Sequence, residues 1–284
     1  MSQSHSSSVS QAKPATILVF DSGVGGLSVA REIQQRLPAH PLIYASDNAF
    51  FPYGTKGEDE LIKRVDKVIG ELLLRYQAEI LVIACNTAST LTLPHLRAKL
   101  DLPIVGVVPA IKPAAQLTKS GVIGLLATPA TVARPYTHEL IREYAPQCDV
   151  ISLGSSELVE IAEQKLRGES VDSTALAAIA ARLMQADRAK TMDVLVLACT
   201  HFPLLREELA QQLPGKIRLI DSGEAIARRV EFLLTSQTTH NKLPASDDPR
   251  PLNRAVFTKN TPQAQALGPA LAGLGIQHLD YLEI

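Results

Sequence analysis

Short apolar runs alternate along this chain with longer stretches in which apolar positions recur every three or four residues. That rhythm predicts βα units built on largely parallel sheets. The runs predict strands over residues 16–20, 42–46, 80–84, 104–107, 122–126, 150–153, 194–198, 217–220 and 254–257. The helical spacing predicts helices over residues 27–37, 58–76, 91–100, 158–166, 175–184 and 204–213. Residues 236–253 are polar, contain Pro244, Pro249 and Pro251 and offer almost no apolar anchor, so they read as an exposed loop without chemistry.

The pattern also repeats. Residues 79–85, EILVIAC, and residues 193–199, DVLVLAC, are identical at four of seven positions. In each copy an acidic residue precedes a buried strand that ends in a cysteine. A helix and another apolar strand follow, ending near Val107 in the first copy and Ile220 in the second. The chain therefore reads as two similar α/β halves.

Composition narrows the classes. The 284 residues are 46% hydrophobic and 20% charged, with 4% aromatic residues and no Trp, which is the make-up of a globular protein and not of a disordered one. With 28 Lys plus Arg against 29 Asp plus Glu, a net charge of −1 gives no field to condense on nucleic acid or anionic lipid. Three cysteines are too few for a disulfide framework and fit a reducing, cytoplasmic setting. The Ser-rich stretch over residues 1–15 reads as a flexible leader with no apolar signal region, and no apolar run reaches the roughly 18 residues of a membrane span.

The candidate chemistry gathers where strands end, because the next helix of a parallel βα unit points its free N–H groups there. Cys85 and Cys199 occupy equivalent strand ends, and a helix N-terminus is expected to lower a thiol's pKa toward neutrality. Asn86 and Thr87 follow the first cysteine, Thr200 and His201 the second; these can hold carboxylate or ammonium groups, and His201 can tune its thiol. Asp21 and Ser22 follow the first strand in FDSGVGGLSV, whose glycines let the backbone approach a ligand. This turn is a poor dinucleotide site, since Ser28 stands where the third glycine of the fingerprint belongs and no phosphate-binding lysine follows. Asp47 in ASDN and Tyr53 and Gly54 in FPYG mark further turns. Cys148, in the polar context APQCDV, reads as a bystander. Two thiols from opposite halves facing one carbon suit a two-base reaction that removes a proton from one face and returns one to the other.

At these residues the sequence resembles the glutamate racemases of the aspartate/glutamate racemase family. DSGVGGLSV, FPYG, ACNTAS and CTHFPLL occur in the family's order and spread from Asp21 to Leu205; Ala198 replaces the glycine that many members carry before the second cysteine. The resemblance implies a cofactor-independent racemase without a metal. It implies that Cys85 takes the α-proton of D-glutamate and Cys199 that of L-glutamate, with Asp21 and His201 assisting. Asp47 and Glu160, the latter in SSELVE, match auxiliary acids of the family. Asp21 with Ser22, Tyr53 with Gly54, Asn86 with Thr87 and Thr200 with His201 would bind substrate. The implied fold is two α/β lobes with parallel-rich sheets, related by a pseudo-twofold axis, with the site between them: residues 16–109 plus 222–284, and residues 110–221. The product would supply peptidoglycan synthesis, and VVPAIKPAA with the Ser-rich start resembles a subgroup activated by UDP-N-acetylmuramoyl-L-alanine. A monomer or homodimer is expected, with neither nucleic acid nor membrane as a partner. The alternatives are a racemase of aspartate or another small acidic compound, a zinc hydrolase using Cys85, Cys199 and His201 as ligands, and a two-lobed solute-binding protein.

Overall fold

The computed structural model describes residues 14–237 and 253–284. Most of the Ser-rich leader and most of the polar 236–253 segment lie outside the described residues; Ser236 and Gln237 close a helix.

Among the described residues, ten strands form two all-parallel sheets. The larger contains β1 (Ile17–Asp21), β2 (Leu42–Ser46), β3 (Ile80–Ile83), β4 (Ile104–Gly106), β9 (Asn253–Phe257) and β10 (His278–Tyr281), in the order β10-β9-β2-β1-β3-β4. The smaller contains β5 (Val122–Ala127), β6 (Asp149–Gly154), β7 (Val194–Leu197) and β8 (Arg218–Ile220), in the order β6-β5-β7-β8. Four strands of the larger sheet and all four of the smaller thus share one winding. The match extends to single hydrogen bonds: Ala84 donates its N–H to Phe20 O and Ala198 donates its N–H to Leu126 O, each just before a cysteine. Asp47 N–H to Asp21 O and Ser155 N–H to Ala127 O form a second such pair.

Side-chain alternation explains why the inner strands β1, β3 and β7 are almost continuously apolar. Ile17 and Val19 of β1 face one core layer while Leu18 and Phe20 face the other, and β3 divides in the same way. In the smaller sheet Val194 and Val196 pack on one side of β7 and Leu195 and Leu197 on the other. Helices supply the outer layers: α1 (Leu27–Arg36), α2 (Glu58–Tyr76), α3 (Asn86–Lys99), α4 (Ile111–Leu117), α5 (Pro129–Ala133), α6 (Pro135–Tyr144), α7 (Glu157–Leu166), α8 (Ser173–Met184), α9 (Arg206–Gln212), α10 (Gly223–Gln237), α11 (Pro262–Gln265) and α12 (Gly268–Gly273). In α2 the spacing buries Leu61, Val65, Val68, Ile69 and Leu72 on one face. Acids in its first turn and Arg75 in its last complement the helix dipole.

The elements differ from the sequence expectation in three ways. Helix α3 begins at Asn86, directly after Cys85, and not at residue 91, because the polar residues Asn86, Thr87 and Ser89 are buried in its first turn. The stretch 204–213 divides into a 3₁₀ turn (Phe202–Leu205) and α9. Helices α4, α5, α6, α10, α11 and α12 and strand β10 were not expected, and β10 is a half-exposed edge strand whose residues do not form an apolar run.

Candidate functional site

The carboxyl ends of β1, β3 and β7 converge where the two sheets meet. After β1, Asp21 is wholly buried and accepts the backbone N–H of Ser22 at 2.6 Å and that of Gly26. Burial pushes its carboxyl above the ordinary range, a trend that the charge of His201 partly reverses. The glycines of this turn do more than admit a ligand. A Cβ on Gly25 would collide with the ring and backbone of His201, and one on Gly23 would collide with Glu163 and Phe51. Their absence of side chains lets the larger sheet's first loop lie flat on residues of the smaller sheet. Tyr44 fixes that loop by donating its hydroxyl to Gly23 O at 2.6 Å.

After β3, Cys85 is buried at the N-terminus of α3, with the Ser22 hydroxyl 3.7 Å from its Sγ. The helix position was expected to lower the pKa of this thiol. Burial instead pushes it far up, and the neighbouring Asp21 charge adds to the rise. The Ala88 N–H and the Ser22 hydroxyl offset only part of it. Cys85 is thus a protonated thiol at neutral pH. The residue after Cys85, Asn86, bonds the carbonyl of the residue before Cys199, Ala198, so the two thiols flank one hydrogen bond between the sheets.

After β7, Cys199, Thr200 and His201 are all buried. His201 Nδ1 lies 3.8 Å from Cys199 Sγ, and Nε2 lies 2.9 Å from Glu163 Oε1. Burial opposes a charge on the imidazole, but the contacts with Cys199 and Glu163 outweigh it and hold the histidine well above its ordinary pKa. Glu163 shows the converse. Burial raises its carboxyl, while His201, the Val24 N–H and Arg167 together bring it below the ordinary value. The Val24 N–H reaches Glu163 Oε1 at 2.9 Å, so this carboxylate is held from both sheets at once.

Two further bonds cross between the sheets. Ser28 donates its hydroxyl to Thr200 O at 2.8 Å, and Asn86 donates its side-chain amide to Ala198 O at 2.8 Å. The second bond orients Asn86 so that its Oδ1 is buried without a partner. A buried acceptor left unpaired is costly, and here it is available to an ammonium group. Thr87 is buried beside Asn86.

Asp47 is also wholly buried, but its carboxylate is fully engaged. It accepts two bonds from Arg64, at 2.6 and 2.9 Å, one from Tyr53 at 2.8 Å and one from Thr258 at 2.7 Å. Asp47 therefore braces the turn that carries Tyr53 and the exposed Gly54. Glu160 is exposed at the rim of a hollow of about 390 Å³, and the acid of α7 that touches His201 is Glu163, one helical turn on. Helical spacing carried that signal: Leu158, Val159, Ile161 and Ala162 are buried, so residue 160 falls on the opposite face and residue 163 returns toward the core. Cys148 is half-buried beneath α4 and α6 with the other residues of that core layer, away from the strand ends. Among the described residues, no group of three or more His, Cys, Asp or Glu side chains is arranged to hold a metal ion. Among the described residues, no helix is long and apolar enough to cross a membrane.

Comparison with known proteins places this arrangement. Residues 17–230 match the model of the Asp/Glu/hydantoin racemase family. A glutamate racemase of Pectobacterium carotovorum is 50% identical over 269 residues, which cover 95% of this chain and 92% of that one. A glutamate racemase of Salmonella typhimurium is 51% identical over the same shares. Among solved structures, Escherichia coli glutamate racemase in complex with L-glutamate and the activator UDP-MurNAc-Ala is 49% identical. It matches with a TM-score of 0.88 over 95% of this chain and 98% of that one. The Francisella tularensis enzyme in complex with D-glutamate is 25% identical, with a TM-score of 0.76 over 95% and 98% of the two chains.

Proposed function

The chain belongs to the Asp/Glu/hydantoin racemase family, with glutamate racemases among its relatives along nearly its whole length, and on that premise we propose that it interconverts L- and D-glutamate through Cys85 and Cys199. One observation carries the proposal: two buried thiols stand at equivalent ends of a repeated strand, either side of one hydrogen bond between the sheets, with unlike partners. Cys199 takes the α-proton from L-glutamate, and Cys85, whose thiol burial holds above its ordinary pKa, returns one to the opposite face. The reverse reaction exchanges the roles.

An amino acid's α-proton is weakly acidic, and a positioned acid or base contributes about 10²- to 10⁴-fold. The remainder rests on fixed donors in a site shielded from water. The unpaired Asn86 Oδ1 suits the substrate ammonium. The N-terminus of α3 and the hydroxyls of Ser22, Thr87 and Thr200 suit a carboxylate. His201 places a proton beside the second thiol, and Glu163 keeps it charged. Asp21, its carboxyl raised by burial, stands beside Ser22, which contacts the first thiol.

The same reading divides the chain into one lobe of residues 16–109 plus 222–284 and another of residues 110–221, and it puts the enzyme in the cytoplasm, where its D-glutamate serves peptidoglycan synthesis. The free thiols support that location. Activation by UDP-N-acetylmuramoyl-L-alanine is part of it as well. A cleft of about 850 Å³ runs between Arg31 of α1, Arg228 of α10 and Arg206 of α9, large enough for such a ligand and separate from the thiols.

The test is exchange in D₂O. Chelator-treated protein given L-glutamate should incorporate deuterium at Cα while optical rotation is lost. Absence of exchange with glutamate, or exchange with aspartate in its place, overturns the assignment. Activity unchanged by the peptidoglycan precursor removes the activation step alone.

A further inference from the structure

Tyr44 of β2 is wholly buried in the larger sheet, opposite Val19 of β1 and Ala255 of β9. A phenol in such a place needs a partner for its hydroxyl, and it donates to Gly23 O at 2.6 Å. The carbonyl of Gly23 and the N–H of Val24 belong to one planar peptide group, whose two ends point in opposite directions. At the far end the Val24 N–H donates to Glu163 Oε1 at 2.9 Å, and the same oxygen lies 2.9 Å from His201 Nε2. His201 Nδ1 in turn lies 3.8 Å from Cys199 Sγ. One row of polar contacts therefore runs from the middle of the larger sheet, through a single peptide plane, to the thiol of the smaller sheet.

That plane decides which cation Glu163 serves. Arg167, one turn further along α7, places Nη1 3.8 Å from Glu163 Oε2 and is itself held by Glu169 at 2.8 Å. The Val24 N–H commits the other oxygen to His201. Gly23 has no side chain with which to fix its own peptide, and a Cβ there would collide with Glu163. The orientation of the 23–24 peptide is thus set from outside, by the phenol at one end and the carboxylate at the other. Burial, followed by the charges of Asp21, Glu163 and Cys85, holds the Tyr44 hydroxyl well above its ordinary pKa, so it remains a donor. At the other end His201 is faced by Cys199, Glu163 and Asp21, and Glu163 by His201 and Arg167.

We propose that Tyr44 is a positioning residue for the second thiol: by gripping Gly23 O it aims the Val24 N–H at Glu163, and Glu163 in turn holds the His201 ring against Cys199. Without that grip the carboxylate is free to turn toward Arg167, and the imidazole loses its counter-ion. The phenol belongs to the larger sheet and the thiol to the smaller, so the protonation of Cys199 depends on the two being docked. Cys85 is served instead by Ser22 and the Ala88 N–H, and the two thiols answer differently to the same substitution. This inference rests on the racemase reading and deepens it.

The experiment follows the His201 ring by NMR across pH in the full-length protein, in Tyr44→Phe, in Glu163→Gln and in the double variant, beside pH profiles of kcat/KM for L- and D-glutamate. Tyr44→Phe keeps the ring and removes the donor. The His201 titration and the alkaline limb of kcat/KM should both move to lower pH by about 0.4–1 pH unit, and kcat/KM should fall roughly 2- to 10-fold, the range of one hydrogen bond. The primary isotope effect should grow with α-deuterated L-glutamate, whose deuteron goes to Cys199, and not with the D-isomer. Because Tyr44 acts through Glu163, the double variant should titrate where Glu163→Gln does. A His201 titration unmoved in Tyr44→Phe, or shifts that add in the double variant, overturns the inference. A second measurement needs no variant and holds even if Tyr44→Phe fails to fold: in the unaltered protein the Val24 amide should report the His201 titration, and an amide indifferent to it overturns the inference as well. The NMR readings require no turnover. If the parent protein fails to exchange the α-proton of glutamate while they hold, the racemase reading falls and the row of contacts stands.

Discussion

The chemistry of the site depends on neighbours that differ between two otherwise matched residues. Cys85 sits among Ser22, Asp21 and the N–H of Ala88; Cys199 sits beside a charged imidazole. Replacing either thiol, as Cys85→Ala or Cys199→Ala, should lower racemisation by at least about 10²-fold. Cys148→Ala should leave it intact, and chiral chromatography of glutamate reads all three. Glu163 sets the charge of His201. The histidine's pKa is raised, so the stability of its charged state is full below the ordinary value of 6.5 and is lost as pH rises through the folded value. Glu163 is lowered, so its contribution is present above 4.5 and is lost as pH falls through its folded value. The pair therefore operates between these limits. Glu163→Gln removes the negative charge, so the alkaline limb of kcat/KM and the His201 titration followed by NMR should both move to lower pH. A limb that stays in place would show that His201 is held charged by Cys199 without help from Glu163.

At the level of elements, the β1–α1 turn joins the two sheets because it lacks side chains at Gly23 and Gly25. Gly25→Ala should displace His201 and cost far more activity than stability, checked by comparing kcat with the denaturant midpoint. Much of this architecture was legible in the sequence. The inner strands β1, β2, β3, β5 and β7 stood out because a parallel strand covered on both faces is almost continuously apolar. The repeated EILVIAC and DVLVLAC marked the thiols because both strands end at the same place in the same winding. Other elements were less plain. Strand β10, HLDY, lies at a half-exposed edge and does not form an apolar run. Helix α10 does carry the signal, in Ile226, Val230 and Leu234, but it follows the repeat and has no counterpart within it. Glu163 was obscured by Glu160, which lies three residues before it in the same acidic context and differs only in the helix face it occupies.

On the scale of the whole molecule, the chain passes from the larger sheet to the smaller after β4 and returns after β8 to add β9 and β10. The contact between α1 and α10 anchors the return. At the two passages the Ser222 hydroxyl donates to Val108 O, joining residues at matched positions of the repeat. Ser222→Ala removes a bond of about 0.5–1.5 kcal/mol. It should leave the fold intact while raising the glutamate KM modestly, a change that steady-state kinetics at constant stability would isolate.

Two linked passages behave differently from one. A single tether lets its ends swivel about any axis, whereas two strands side by side, tied together, admit opening and closing like a door on a pair of hinges and resist twist. Under the proposed two-thiol reaction, a substrate can then enter and leave while the two sulfurs return each time to opposite faces of the same carbon.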